Sequence, residues 1–147
     1  MSHRLTATGI VVSGAVAAML LGPNGPLGDF WRPIAMEPAP AGAQLAGLIG
    51  SRLVEAIGFG AALAILAVGR RLFVKLTRTP GTATTAQLAA AWLIGSWWPH
   101  SALHMHFGLR ADALAGLELV FHAGSIVAFA LLLWALMPVQ PRAVPEP

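Results

Sequence analysis

Apolar residues fall into four long stretches along this chain of 147 residues. The stretches cover about residues 5–22, 42–69, 85–107 and 113–137. Each is close to the ~20 residues that a helix needs to cross the hydrocarbon core of a bilayer. The pattern therefore predicts an all-α integral membrane protein, built as a bundle of four transmembrane helices.

Breaking and capping residues separate these stretches. The run GPNGP ends the first stretch and Pro138 ends the fourth. Thr84, with Gln87 three residues later, is typical of a capping box, so we expect Thr84 to be the N-cap of the third helix.

The first stretch has the basic start and apolar run of a signal peptide, and we expect it to be kept as a span. One transmembrane domain over 1–137 and a proline-rich tail over 138–147 are predicted.

Composition agrees with this class. Hydrophobic residues make up 56% of the chain and charged residues 10%, whereas a soluble domain carries about 25% charged residues. Cysteine is absent, which excludes disulfides and thiolate ligands. The net charge is +3, but the basic residues sit singly or in one short loop, and no phosphate-binding glycine motif is present. We therefore expect neither nucleic acid nor nucleotide as a partner, but the lipid bilayer and other membrane-protein subunits.

Basic residues in short loops indicate the orientation. The loop over 70–82 contains four basic residues and no acidic one: Arg70, Arg71, Lys75 and Arg78. Short cytoplasmic loops are enriched in Lys and Arg. We expect this loop, both termini and the tail to be cytoplasmic (N-in/C-in), and the first and third loops to be extracytoplasmic. The expected location is the inner (cytoplasmic) membrane.

Small residues four positions apart predict where helices touch, because close backbone approach drives helix association in lipid. Six such pairs occur in the apolar stretches: Gly9 and Ser13, Gly14 and Ala18, Ala46 and Gly50, Gly58 and Ala62, Ala91 and Gly95, Gly124 and Ala128.

Four residues in the last third of the apolar sequence carry the candidate chemistry. His100 and His104 form one i,i+4 pair, and Glu118 and His122 form another. On a helix each pair presents both side chains on one face. Because an ionisable group at membrane depth is costly to bury, it is a candidate functional residue.

A tight helical hairpin is expected to bring the two pairs together. Pro99 would kink the third helix without ending it. Gly108 is the expected C-terminal stop, and Asp112 the N-cap of the next helix. Positions equally distant from residue 111 then lie at one level in an antiparallel pair. His100 should face His122, and His104 should face Glu118.

Imidazole nitrogens and a carboxylate are ligands that suit Zn, Fe, Mn or Cu. We therefore predict a transition-metal site formed by His100, His104, Glu118 and His122. One alternative is a hydrogen-bond network between the helices without a metal. A second is a b-type haem with His100 and His122 as axial ligands.

Further polar residues are expected around this site. Arg52 and Glu55 form an i,i+3 pair in the second span, on the same side of the bilayer as the histidines. The two are expected to form an ion pair, but Arg52 could instead pair with Glu118, and Glu55 could be a fifth ligand or a proton acceptor. His106 lies about 200° around the helix from His104. It is therefore placed among the residues surrounding the site, near the membrane interface.

Three functions are compatible with these features. The first is an accessory subunit of a larger membrane complex, of transporter or respiratory type, because a bundle this small offers little room for a substrate pocket. The second is a stand-alone metal-dependent membrane enzyme or oxidoreductase, with Glu55 as the proton acceptor. The third is a non-catalytic metal-handling or haem-binding protein.

Overall fold

The computed structural model describes residues 2–23, 25–31, 41–108 and 111–137, and all regular elements in these ranges are helical. The elements are α1 (Ser2–Leu21), a 3₁₀ turn (Asp29–Trp31), α2 (Gly42–Val68), α3 (Arg70–Leu76), α4 (Pro80–Gly95), α5 (Trp97–Phe107), α6 (Ala111–Glu118), a π-helical turn (Leu119–Ala123) and α7 (Gly124–Leu136). The all-α prediction is confirmed for these residues. The predicted tail over 138–147 lies outside them.

Three helical segments are long and apolar enough to cross a membrane. They are Arg4–Leu21, Gly42–Val68 and Leu114–Leu136. The third runs through α6, the π-helical turn and α7. These segments coincide with the first, second and fourth predicted spans. The chain is therefore a membrane-associated helical protein.

The predicted third span is divided at Ser96 into α4 and α5. Pro99 explains the division, because proline has no N–H to donate to the carbonyl of Gly95, four residues earlier. The chain continues in nearly the same conformation, since Ser96 has helical dihedrals and His100 N–H still donates to the Ser96 carbonyl at 3.0 Å. Pro99 thus interrupts the helix without ending it.

The start of α4 differs from the prediction. Thr79, not Thr84, is the N-cap, so that prediction was wrong. Thr79 Oγ1 accepts from Thr82 N–H at 3.1 Å, and Thr82 Oγ1 accepts from Thr79 N–H at 2.9 Å. Pro80 occupies the first helical turn, where its missing N–H costs nothing. Threonine at the third position closes this capping box in place of the usual Glu or Gln.

Gln87 joins helices instead of capping one. Its Nε2 donates to the carbonyl oxygens of Ile65 at 2.7 Å and Leu66 at 3.0 Å, which ties α4 to α2. The Gln87 side chain is buried, so these bonds also satisfy a polar group that would otherwise be costly to bury.

The segment predicted as a loop over 70–82 contains α3. Phe73 explains this difference, because it packs into a buried cluster with α4 and α7. The other buried members of that cluster are Ala83, Ala86, Ala90 and Ala135. Burial of this aromatic side chain among alanines helps to hold the short helix against α4.

Glycines bring α1 and α2 into backbone contact. A Cβ on Gly60 would lie 2.2 Å from the Val11 carbonyl oxygen, and one on Gly14 would lie 2.8 Å from Gly60 Cα. Only glycine permits this approach. In contrast, Gly9 and Gly50 have open space where a Cβ would lie, so their predicted pairs do not mark contacts among the described residues.

Candidate metal centre

The candidate centre lies on the hairpin formed by α5 and α6. Gly108 ends α5 with φ +58°, a conformation that glycine adopts without strain, so the predicted stop is confirmed. The next helix starts at Ala111. Asp112 therefore lies in its first turn and is not the N-cap, which corrects that prediction. An acidic residue there still interacts favourably with the helix dipole.

The hairpin places the two ionisable pairs at matching levels. His104 Nε2 lies 2.8 Å from Glu118 Oε1. The rings of His100 and His122 are 5.2 Å apart between centroids and nearly perpendicular. Both facing pairs are the expected ones, so the turn position alone predicted the register of the hairpin.

Three of the four residues bring a ligand atom to one point. His100 Nε2 and His104 Nε2 are 3.0 Å apart. Together with Glu118, these residues offer three ligand atoms within 4.8 Å of one another. Ligands bound at 2.0–2.1 Å in a tetrahedral site lie roughly 3.3 Å apart. A small outward movement of the side chains would therefore make room for a metal ion.

Hydrogen bonding alone does not satisfy this cluster when both imidazoles are neutral. His104 Nε2 faces both His100 Nε2 and Glu118 Oε1. If Nε2 of His104 carries hydrogen, it can donate to the carboxylate, but it then has no lone pair for His100. If it carries none, its lone pair faces an ionised carboxylate that only accepts. A cation between the three atoms removes this conflict.

His122 reaches the cluster through Glu118. Its Nδ1 lies 2.5 Å from Glu118 Oε2 and 3.1 Å from the Glu118 carbonyl oxygen. A protonated Nδ1 would thus fix the carboxylate and leave Oε1 directed at His104. The His122 side chain is 64% exposed, more than its neighbours in the cluster. Its role as a fourth ligand stays a prediction.

Phe121 and the π-helical turn are features of the site that the sequence pattern did not predict. The Phe121 ring stacks on His100 at 4.9 Å between centroids, and on Trp92 at 5.7 Å. Phe121 and His122 both belong to the π-helical turn, which follows Glu118 directly. Such turns are rare and are frequent at functional sites. The turn thus places Phe121 against the ring of His100 and His122 against the carboxylate of Glu118.

Arg52 links α2 to the helix that carries the histidines. Its Nη1 donates to Glu55 Oε2 at 2.7 Å and to Ser101 Oγ, and its Nη2 contacts Met105 Sδ at 2.8 Å. The predicted ion pair with Glu55 is confirmed. Arg52 and Glu55 are only 12% and 16% exposed. The guanidinium therefore holds Glu55 in place and anchors α5 against α2.

Ser101 and Met105 were not predicted as partners of Arg52. The sequence contains a signal for them, because they repeat the spacing of His100 and His104 one residue further along the chain. On a helix this offset places them on the adjoining face. One face of α5 thus bears the candidate ligands, and the neighbouring face receives Arg52.

His106 points to the first loop. Its ring stacks on Phe30 with centroids 4.9 Å apart and meets the edge of Trp31 at 6.2 Å. Its Nδ1 is buried without a hydrogen-bond partner among the described residues. His106 thus points away from His104, as expected, and its aromatic contacts join the 3₁₀ turn to α5.

The geometry does not favour a haem between His100 and His122. The two ring centroids are only 5.2 Å apart. His100 Nε2 is directed at His104 and His122 Nδ1 at Glu118, so neither of these nitrogens points to an iron between the rings. A porphyrin between the two rings would have to break both contacts.

The described residues thus define a small, all-helical, membrane-associated protein with a cluster of two histidines and one glutamate that can hold a metal ion. No protein family model, curated protein or solved structure matches this chain. Evidence on its function therefore comes from the geometry of the cluster itself.

Proposed function

We propose that this protein binds a transition-metal ion through His100, His104 and Glu118. The observation that carries the proposal is the position of His104 Nε2, which faces a second imidazole at 3.0 Å and a carboxylate at 2.8 Å. One ring nitrogen cannot form a good hydrogen bond with both when the imidazoles are neutral, whereas all three atoms can donate electron pairs to one cation.

The ligand set suits Zn, Fe, Mn or Cu, because it combines borderline nitrogen donors with one carboxylate. Three protein ligands leave at least one position open on a four-coordinate ion, as in catalytic zinc sites. The side chains of His104 and Glu118 are 36% and 42% exposed, so a small molecule or a residue of another subunit can reach that position. His122 completes the set, as the residue that orients Glu118 or as the fourth ligand.

We further propose that the chain is an accessory subunit of a larger membrane complex, of transporter or respiratory type. In this proposal α4 and α5 together form a fourth span, both termini are cytoplasmic and the metal lies towards the extracytoplasmic side of the inner membrane. Support comes from packing, since the buried core consists mainly of alanine and most large apolar side chains face outward. Lipid and neighbouring subunits would cover them.

Metal analysis tests the binding proposal. Protein purified in detergent would be stripped with a chelator, reloaded with Zn²⁺ or Co²⁺ and analysed by elemental mass spectrometry. We expect about one ion per chain, and the visible Co²⁺ spectrum of a site with nitrogen and oxygen ligands. His104→Ala and Glu118→Gln should lose the ion. His106→Gln is the matched control, because His106 lies on the same helix but points away from the cluster.

Wild-type protein that binds no ion, or variants that bind as well as wild type, would contradict the metal proposal.

The subunit proposal has a separate test. The protein would be extracted from native membranes in a mild detergent and run on a native gel. We expect the metal-loaded protein to migrate as a complex that contains defined additional polypeptides. The alternative, a stand-alone metal-dependent membrane enzyme with Glu55 as proton acceptor, would be supported by metal-dependent turnover of the purified single chain.

A further inference from the structure

A groove at the other end of the helices gathers three cationic side chains. It lies between α1, α2 and α3 and has a volume of about 610 Å³. Arg4 of α1 lines it together with Arg71 and Lys75 of α3. The remaining lining residues are almost all apolar: Ala7, Ala64, Ile65, Val68, Gly69 and Leu72. The groove is therefore amphipathic, with cations beside a hydrocarbon-like wall.

The packing of the helices brings these three cations together. α1 and α2 cross at Gly14 and Gly60 and run in opposite directions, so the start of α1 lies beside the end of α2. α3 begins immediately after α2. Arg71 and Lys75 are one helical turn apart and so share a face of α3. These three cationic side chains make the groove a favourable place for an anion.

α3 has the character of a helix that lies at the surface of a membrane. Phe73 anchors it to the core, whereas Leu72, Val74 and Leu76 are exposed beside the basic residues. A helix with cationic and apolar surfaces is stabilised at the boundary between headgroups and acyl chains. An occupant of the groove would therefore meet the cations with its polar end and the apolar wall with its chain.

Two neighbouring arginines serve a different purpose. Arg70 Nη2 donates to the Pro80 carbonyl at 3.0 Å. Arg78 Nη2 donates to the Trp134 carbonyl at 2.8 Å, and its guanidinium lies over the Trp134 ring. Neither lines the groove. These residues hold helices together, and they offer matched charges outside the groove for comparison.

We propose that the groove binds an anionic phospholipid. The phosphate of the headgroup pairs with Arg4, Arg71 and Lys75, and one acyl chain lies against Ile65 and Val68. Basic pockets between membrane helices bind phosphate-bearing lipids of this kind. The lipid would bridge α1 and α3, which are far apart in sequence. This inference does not depend on metal binding, because the cations come from α1 and α3, whereas the candidate ligands come from α5 and α6.

Lipid exchange followed by native mass spectrometry tests the inference. The protein would be placed in phosphatidylcholine nanodiscs with and without phosphatidylglycerol, and the lipids retained after release would be counted. We expect phosphatidylglycerol to be enriched over phosphatidylcholine. Arg71→Gln/Lys75→Gln should reduce the enrichment by about fivefold for each charge removed. Arg70→Gln/Arg78→Gln, which removes the same charge from the same end of the protein, should retain it.

Equal loss in the two double variants would overturn the inference, because it would show a general effect of charge rather than a groove. Equal retention of both lipids by the wild type would also overturn it, as would displacement of the lipid by inorganic phosphate alone. Arg71→Lys/Lys75→Arg keeps both charges and should keep the enrichment. Circular dichroism of each variant identifies a loss of fold, and a variant that has lost its helices is replaced by the single substitutions.

Discussion

His104 on α5 contacts Glu118 on α6 with 2.8 Å between Nε2 and Oε1, across the hairpin that the two helices form. The contact joins residues that belong to different i,i+4 pairs in the sequence. It places the carboxylate where the two histidine nitrogens already meet. The relationship therefore turns two separate patterns into one candidate metal centre.

Substitution of His122 distinguishes its two possible roles. If His122 orients the carboxylate, His122→Ala should weaken Zn²⁺ binding by about 10- to 100-fold, as is typical when a residue that supports a ligand is removed. Isothermal titration or competition with a chromophoric chelator measures this change. His104→Ala is the reference for loss of a ligand. A His122→Ala variant as defective as His104→Ala would instead show that His122 is itself a ligand.

Gly60 should be the position in α2 that is most sensitive to an added methyl group. Gly60→Ala places a Cβ against the Val11 backbone, and we expect a loss of about 1–3 kcal/mol in the free energy of unfolding. Gly50→Ala, in the same helix but with open space, should be neutral or stabilising by up to about 1 kcal/mol. Unfolding in mixed micelles, followed by tryptophan fluorescence, compares them. Equal stabilities would contradict the close α1–α2 crossing.

The bridge from Gln87 to α2 should contribute measurably to stability. Gln87→Leu removes donors to two carbonyl groups, and one hydrogen bond between membrane helices is worth about 0.6 kcal/mol on average and up to about 1.7. We expect a loss in this range, measured by the same unfolding assay. Gln44→Leu provides the control, since Gln44 is exposed at the start of α2. A Gln87→Leu protein as stable as wild type would show that the bridge is not energetically important.

Arg52 and Glu55 should show coupled energetics, because both are largely buried. Arg52→Met leaves the Glu55 carboxylate without its cation in a poorly solvated position. It should therefore destabilise the protein more than the double variant Arg52→Met/Glu55→Gln does. A double-mutant cycle measures the coupling, which we expect to be about 0.5–3 kcal/mol. Strictly additive effects would argue against the ion pair as a contributor to stability.

Much of the site could be predicted because its determinants are local in sequence. Gly108 marked the turn, and antiparallel packing then paired His104 with Glu118 and His100 with His122. The spans that contain Gly14 and Gly60 could also be predicted, because their length and hydropathy are enough to identify them. Small-residue spacing was less informative. Gly50 has the same spacing as true contact residues, but whether a helix face meets a neighbour or lipid depends on tertiary packing.

The remaining features depend on contacts that no local pattern encodes. α3 exists because Phe73 finds a pocket of alanines from α4 and α7. Thr79 rather than Thr84 caps α4, because Thr82 can close a capping box from the third position. The π-helical turn after Glu118 contains no glycine or proline, so nothing in its own sequence indicates it.

The turn at Gly108 also bears on how the centre would assemble. All the candidate ligands lie on one hairpin, so only a short loop has to close before they meet, and short loops cost little entropy to close. An ion held by α5 and α6 would act as a removable cross-link between neighbouring segments of the chain. Its arrival would favour the paired hairpin over the open one, whether or not α1 and α2 had packed.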